Sequence, residues 1–368
     1  MRITIQQAQL LKNLQTVEHA VNDRSTLPIL ANVLLQTREQ ELVLTATDLD
    51  VGIQCRFHLV QPAEQGAVTL PARKLTTIIR ELPEETVTLE AKKNQTATVT
   101  CGASSFRIPG LPADDFPSLP AAPTTTDAFA LPQSELKALL TRTAYAMSME
   151  ETRFILNGAL FLTQKNALSI VATDGRRLAL GTAALSRVGK PPLQAVVPAK
   201  TIRELARLLQ DEDPQEVTIA PLKDNQLTFQ FGSVTVVTRL IDGQFPQYEK
   251  VIPPESKRTV SGSRQALFTA IRRVSLMTTA ASQAVLFELS QDRLVISKES
   301  AELGSAREEL PVTYAGEAMT VAFNPEFWLD VLKVLETEDV RIEIAGPDRP
   351  AVIRLPEFVY IVLPMKVA

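Results

Sequence analysis

The chain has 368 residues, 45% hydrophobic and 22% charged, with a formal net charge of −4; this balance excludes a disordered or low-complexity chain and carries no global sign of nucleic-acid binding. At about 100–200 residues per domain the length suggests two or three domains, and the longest unbroken apolar run, residues 358–363, is far shorter than the roughly 18–20 residues of a membrane-spanning helix. Two cysteines, Cys55 and Cys101, are too few for a disulfide framework, and the opening MRITIQQAQLL has no basic stretch ahead of a long apolar core; the expectation is a cytoplasmic protein without a signal peptide.

In chain order, the first segment opens with ITIQQAQLLKNLQ (3–15), a strand running into an apolar helix expected over 6–22. LVLTATDLDVGI (42–53) reads as two strands around a turn that holds Asp48 and Asp50. TLPARKLTTIIREL (69–82) brings a strand–helix junction at Pro71, with a helix over 71–82. VTLEA (87–91) and TATVTC (96–101) follow as alternating strands parted by Lys93-Asn94, the signature of an antiparallel hairpin. The same grammar then restarts. FALPQSELKALL (129–140) heads a helix over 132–147, LSIVATDGRRLAL (168–180) repeats the turn with Asp174, and VVPAKTIRELARLL (196–209) repeats the junction at Pro198 with a helix over 198–210. A third round begins with VSGSRQALFTAI (260–271), a helix over 263–277, and continues with AFNPEFWLDVLKVL (322–335), a helix over 324–336.

Leu10, Leu136 and Leu267 take equivalent places 126 and 131 residues apart, while Pro71, Pro198 and Pro325 are spaced by 127 both times. Several markers holding nearly one period establish a threefold repeat. Each proline is expected in a first helical turn, where its missing N–H has no intrahelical partner. The fold expected is α+β: three repeated domains over 1–123, 127–253 and 258–368, each of two β-α-β-β-β units with antiparallel sheets. Stiff polar linkers at 117–126 and 252–259 join them.

Catalytic signatures are missing. His19 and His58 have no cysteine or second histidine at metal-ligand spacing, and no phosphate-binding glycine loop or nucleophile elbow occurs. Asp48 with Asp50, and Asp114 with Asp115, are the best pairs for acid–base work. Their more ordinary reading is turn capping, which the recurrence at Asp174 favours. Charge is instead informative by location. The six expected helices carry thirteen basic and seven acidic residues, leaving the remainder of the chain at −10. Helices gathered on one side of the sheets would present a basic face to phosphates without reading bases; Arg207 on the fourth helix belongs to that face.

The chain resembles the bacterial DNA polymerase III beta subunit family, the replicative sliding clamps, over essentially its whole length. The resemblance rests on TLPIL (26–30), ATDL (46–49), LPARK (70–74), PADDFP (112–117), LNG (156–158), ATDG (172–175) with Arg177-Leu178, DGQFP (242–246), and Tyr360-x-Val-x-Pro-Met365. It implies a head-to-tail homodimer ring, helices lining the hole and sheets outside, which encircles double-stranded DNA irrespective of sequence. No catalysis, cofactor or metal is implied. The implied partners are the DNA polymerase III alpha subunit, the clamp loader, and other polymerases and repair proteins bearing clamp-binding motifs. Arg24, Arg73 and Arg80 become expected DNA contacts, with Arg153 and Phe154 on a loop beside the partner pocket. The pocket itself is expected from Leu156, Thr173, Gly175, Arg177, Leu178, Pro246, Val251, Val362, Pro364 and Met365, with Arg177 orienting the ligand. Arg176 stands where the family commonly has histidine. The protomer joint is expected to set Lys74 and Phe106 against Leu276, Glu299 and Glu302. A clamp-like paralogue specialised for repair and a carboxylate-dependent hydrolase are the rival readings.

Overall fold

The computed structural model describes residues 1–22, 25–61, 63–120, 127–212 and 214–366. The first repeat runs β1 (Arg2–Gln6), α1 (Gln7–Val17), β2 (Asn32–Arg38), β3 (Glu41–Thr47), β4 (Val51–His58), β5 (Gly66–Pro71), α2 (Ala72–Glu81), β6 (Thr86–Ala91), β7 (Thr96–Cys101) and β8 (Ser104–Pro109). The second keeps the order with β9 (Phe129–Pro132), α3 (Gln133–Thr143), β10 (Gly158–Gln164), β11 (Ala167–Thr173), β12 (Arg177–Ala184), β13 (Gln194–Pro198), α4 (Ala199–Leu208), β14 (Glu216–Leu222), β15 (Gln226–Phe231) and β16 (Val234–Arg239). The third has β17 (Thr259–Ser263), α5 (Arg264–Ser275), β18 (Val285–Ser290), β19 (Arg293–Ser300), β20 (Gly304–Pro311), β21 (Met319–Phe323), α6 (Pro325–Val334), β22 (Asp339–Ile344), β23 (Ala351–Leu355) and β24 (Phe358–Val362). The α+β class and the threefold repeat are both present.

Chain order conceals one feature. The two β-α-β-β-β units of a repeat exchange their leading strands: β1 pairs with β6, and β5 with β2. The later repeats do the same, β9 with β14 and β13 with β10, then β17 with β22 and β21 with β18. A β-α-β-β-β unit is therefore a unit of sequence and not of hydrogen bonding.

Successive repeats are joined by strand pairing. The last strand of one repeat's first unit pairs with the last strand of the next repeat's second unit, β4 with β16 and β12 with β24. Two eight-stranded sheets result, β5-β2-β3-β4-β16-β15-β14-β9 and β13-β10-β11-β12-β24-β23-β22-β17. Two four-stranded sheets remain, β1-β6-β7-β8 and β20-β19-β18-β21. The chain forms two compact units, the first of Met1–Leu136, Leu185–Leu193 and Arg203–Leu240, the second of Lys137–Ala184, Gln194–Ile202 and Ile241–Ala368. Each contains one large and one small sheet.

The helices are shorter than expected. α1 ends at Val17 and α3 at Thr143, each followed by a 3₁₀ turn, Glu18–Ala20 and Ala144–Ala146. The turns bond Val21 N to Glu18 O (3.2 Å) and Met147 N to Ala144 O (3.3 Å), which satisfies carbonyls that a frayed end leaves open. Of the three junction prolines, only Pro325 opens its helix, with the Asn324 side chain capping Glu326 N at 3.0 Å. Pro71 and Pro198 close the preceding edge strands instead, β5 and β13, where a missing N–H leaves no ladder bond unmade.

Candidate functional site

The turns β3–β4 and β11–β12 share the same four side-chain bonds. Thr47 Oγ1 donates to Val51 O (3.0 Å) and accepts from Leu49 N (3.0 Å), while Asp48 Oδ1 accepts from Asp50 N (3.1 Å) and Val51 N (2.8 Å). Thr173 Oγ1 donates to Arg177 O (2.6 Å) and accepts from Gly175 N (3.1 Å), while Asp174 Oδ1 accepts from Arg176 N (2.8 Å) and Arg177 N (3.0 Å). Asp48 and Asp174 thus cap turns. Asp114 and Asp115 sit in a 3₁₀ turn, and among the described residues no group of three or more His, Cys, Asp and Glu side chains is placed to hold a metal.

Their surroundings differ. In the second unit the turn borders a cleft of 160 Å³ lined by Leu156, Thr173, Gly175, Arg176, Arg177 and Leu178, by Pro246, Gln247, Tyr248 and Val251, and by Ile361 and Leu363. Leu178, Tyr248 and Ile361 belong to a buried cluster with Leu160, Val171, Val196 and Val352, so the cleft floor is the top of a packed core. In the first unit Gly52 takes the place of Leu178, and the Leu119 side chain occupies the space that a Cβ on Gly52 would need. A linker leucine therefore fills that counterpart.

Seven of the ten expected pocket residues come together at the cleft, and three do not. Val362, expected as a wall, is fully buried beside it. In the β12–β24 ladder Leu178 is opposite Ile361 and Arg177 opposite Val362. Strand alternation sends the first pair to the cleft and the second to the helix side, so Ile361 and Leu363 form the wall assigned to Val362. Pro364 is not part of the lining, and Met365 bonds through its N–H to Ala322 O (2.8 Å) and lines a separate cavity with Lys298 and Glu299. Gln247 and Tyr248 complete the lining. Both follow Phe245-Pro246 as Ser118 and Leu119 follow Phe116-Pro117, a match that points to them.

Arg177, expected at the cleft and present in its lining, also ties structural elements together. Its Nε bonds Asp174 Oδ2 (3.1 Å), Nη1 bonds Asp330 Oδ2 (2.6 Å) and Nη2 donates to the Tyr145 carbonyl. The guanidinium carbon lies 4.5 Å from the Phe327 ring centroid and 5.5 Å from that of Tyr145, and the side chain is 10% exposed. Burial works against this charge, but Tyr360, Asp330 and Asp174 outweigh it and hold the pKa above the ordinary arginine value. Burial likewise holds the Tyr145 and Tyr360 phenols high. All three nitrogens are engaged within the protein, so Arg177, while lining the cleft, also bolts β12 to α6.

The expected DNA residues fall in both units. Arg24 lies outside the described residues. Arg73 and Arg80 line a polar hollow with Glu18, His19, Thr76 and Thr77. Arg207, also in the first unit, pairs with Glu204 (3.0 Å) and donates to Thr16 O (3.3 Å). Glu204 also lies 3.8 Å from His19 Nδ1. In the second unit Arg153 packs over Gly175 beside the cleft, and Phe154 is exposed. Lys74, Phe106, Leu276, Glu299 and Glu302 are at the surface, with Phe106 on β8 and Leu276 just after α5.

Family models described as the N-terminal, central and C-terminal domains of the DNA polymerase III beta subunit match residues 1–120, 130–247 and 249–366. The beta sliding clamp of Pseudomonas putida is 37% identical over 369 residues, with 100% of both chains covered. That of Escherichia coli is 35% identical over 372 residues, again with 100% of both covered. Among solved structures, the DNA polymerase III subunit beta of Pseudomonas aeruginosa bound to griselimycin is similar with a TM-score of 0.94 at 37% identity, over 100% of each chain.

The bolt makes a definite expectation. Arg177→Ala strands Asp330 and the Tyr145 carbonyl and should lower unfolding stability by about 2–3 kcal/mol in urea titration. Arg177→Lys should recover little of it, because an ammonium cannot serve three divergent acceptors from between two rings. A loss below about 0.5 kcal/mol would place the residue among ordinary surface charges.

Proposed function

We propose that this chain, which belongs to the DNA polymerase III beta subunit family, acts in the cytoplasm as a sliding clamp: a homodimeric ring around duplex DNA that tethers the replicative polymerase and carries out no catalysis of its own. The observation that carries the reading is topological. Within the chain, the last strand of a first unit pairs with the last strand of the next repeat's second unit. Applied once more, that rule leaves β20 without its partner and β8 without its own, and both are edge strands with exposed side chains. Exposed edges invite pairing. Joining β8 of one protomer to β20 of another would make a third eight-stranded sheet, head to tail, and two such joints related by a twofold close on themselves. Lys74, Phe106, Leu276, Glu299 and Glu302 are the side chains assigned to that joint. Sedimentation at micromolar concentration should give twice the chain mass, and a persistent monomer would overturn the reading.

Duplex DNA would meet Arg73, Arg80, Arg207 and Arg24 in the first repeats and Arg153 and Phe154 at the cleft edge. The interaction needs charge and no base recognition, since base-specific bonds would stall sliding. Replacing Arg73, Arg80 and Arg207 with glutamine should weaken binding equally on unrelated duplexes, and the salt slope should fall by about 0.9 for each phosphate that is no longer neutralised. Fluorescence anisotropy over a salt series measures both. An unchanged slope would remove these residues from the DNA face.

The cleft is the proposed seat for short linear motifs of the polymerase alpha subunit, the clamp loader and repair proteins. Its apolar floor suits leucine or phenylalanine anchors, and its size suits a peptide side chain rather than a cofactor. Val251 and Leu363 are 54% and 41% exposed at its mouth, so a charge there spares the core. Val251→Asp with Leu363→Asp should weaken a leucine-anchored peptide at least thirtyfold by calorimetry, about 2 kcal/mol, while sedimentation remains unchanged. Undiminished affinity would rule out the cleft.

A further inference from the structure

The third repeat buries a lysine that has no carboxylate beside it. Lys298 on β19 shares a strand face with buried Leu294 and Ile296 and is 6% exposed. Its ammonium bonds Ser282 Oγ at 2.6 Å, and among the described residues it enters no ion pair. Lysine is seldom this buried without a counter-charge, because an uncompensated charge taken from water is costly. Here the residue lines a cavity of 610 Å³, together with Ser282, Gln283, Ala284, Leu286 and Met365. Hydrogen-bond accounting gives that cavity its chemistry. An ammonium has three N–H donors, and Ser282 receives one of them, so the others lack an acceptor in the protein. Ser282 Oγ accepts from the lysine, which leaves its own O–H to donate outward. Gln283 Oε1 accepts from Asn324 Nδ2 at 3.4 Å, so the amide turns its Nε2 donors the other way. Both residues are held in place. Ser282 N donates to Thr279 O (3.1 Å) and Ser282 O accepts from Thr279 N (3.2 Å), while Asn324 is buried as the cap of α6.

We propose that this cavity binds a small aliphatic monocarboxylate, with its oxygens on Lys298 Nζ, the Ser282 hydroxyl and Gln283 Nε2 and its chain against Ala284, Leu286 and Met365. A carboxylate carries acceptors only, and acceptors are what these donors lack. The pair it forms with Lys298 offsets the buried charge, and hydrogen bonds between charged partners are stronger than neutral ones. Glu288 and Glu299 line the same cavity from exposed positions. Their charge opposes a dianion such as sulfate, so a single negative charge on an apolar body suits the site better. The cavity shares no lining residue with the cleft, and the proposal does not depend on the peptide reading.

Ligand-observed NMR titration of the full-length chain with acetate, butyrate and hexanoate, at constant ionic strength, tests this. Butyrate should bind in the millimolar range, and each lengthening by two methylenes should tighten binding by about three- to tenfold. Lys298→Met keeps the length of the stem and should weaken butyrate at least tenfold, on the order of one buried charge pair. Ser282→Ala should weaken it about threefold. Sulfate should leave bound butyrate in place. If wild type binds none of the three acids, or binds them equally whatever their length, the proposal is overturned. Affinity unchanged by Lys298→Met overturns it as well, and so does displacement of butyrate by sulfate. Should Lys298→Met fail to fold, the exposed pair Ser282→Ala with Gln283→Ala decides: unchanged butyrate affinity there rejects the site.

Discussion

A strand at the edge of a sheet exposes a row of backbone donors and acceptors that must be paired or protected, and the rest of this structure follows from how its edges are covered. β4 is closed by β16 and β12 by β24, each across a boundary between repeats. Because these ladders are antiparallel and in register, they fix which side chains meet. Leu178 and Ile361 arrive together on one face and become the floor of a cleft. Arg177 and Val362 arrive together on the other, where the guanidinium finds Asp330 and two aromatic rings. The cleft and the bolt both come from a single strand pair.

The repeat makes that arrangement twice and leaves it open once. The turns at Asp48 and Asp174 share the same bonds, and each sends its third residue into the left-handed region, Leu49 at φ +82° and Gly175 at φ +86°. At Gly175 the missing side chain also lets the Arg153 guanidinium pack over the turn. In the first unit Gly52 vacates space that Leu119 fills. In the second unit Leu178 and Tyr248 leave a hollow with exposed Val251 and Leu363 at its rim. Apolar surface left open beside a well-packed core is costly without a use, and a concave apolar site with few polar groups suits a ligand.

Arginine serves this chain in two ways, separated by burial. Arg177 is buried, stacked and opposed by two carboxylates, so its charge holds elements together. Arg73 and Arg80 line a polar hollow with Glu18 and His19. Arg176 lies between these extremes, with an anchored backbone and a loosely held tip. One residue type thus supplies a buried structural bolt and an exposed side chain at the cleft mouth, and sequence alone does not distinguish them.

The chain's own pattern determines its local features. Period-two stretches such as VTLEA and LTFQF became strands, the six apolar helices formed near their expected places, and the repeat was legible from recurring leucines, prolines and turn aspartates. Those signals depend on neighbours a few residues apart. The pairing of β1 with β6 rather than β2 was not legible, nor was the burial of Val362 on the helix side or the capture of Arg177 by Asp330, 153 residues away. A strand's edges have no sequence label for their partner, and an arginine's role depends on which acceptors the fold brings within reach. Long-range pairing settles both, so only the tertiary structure could decide them.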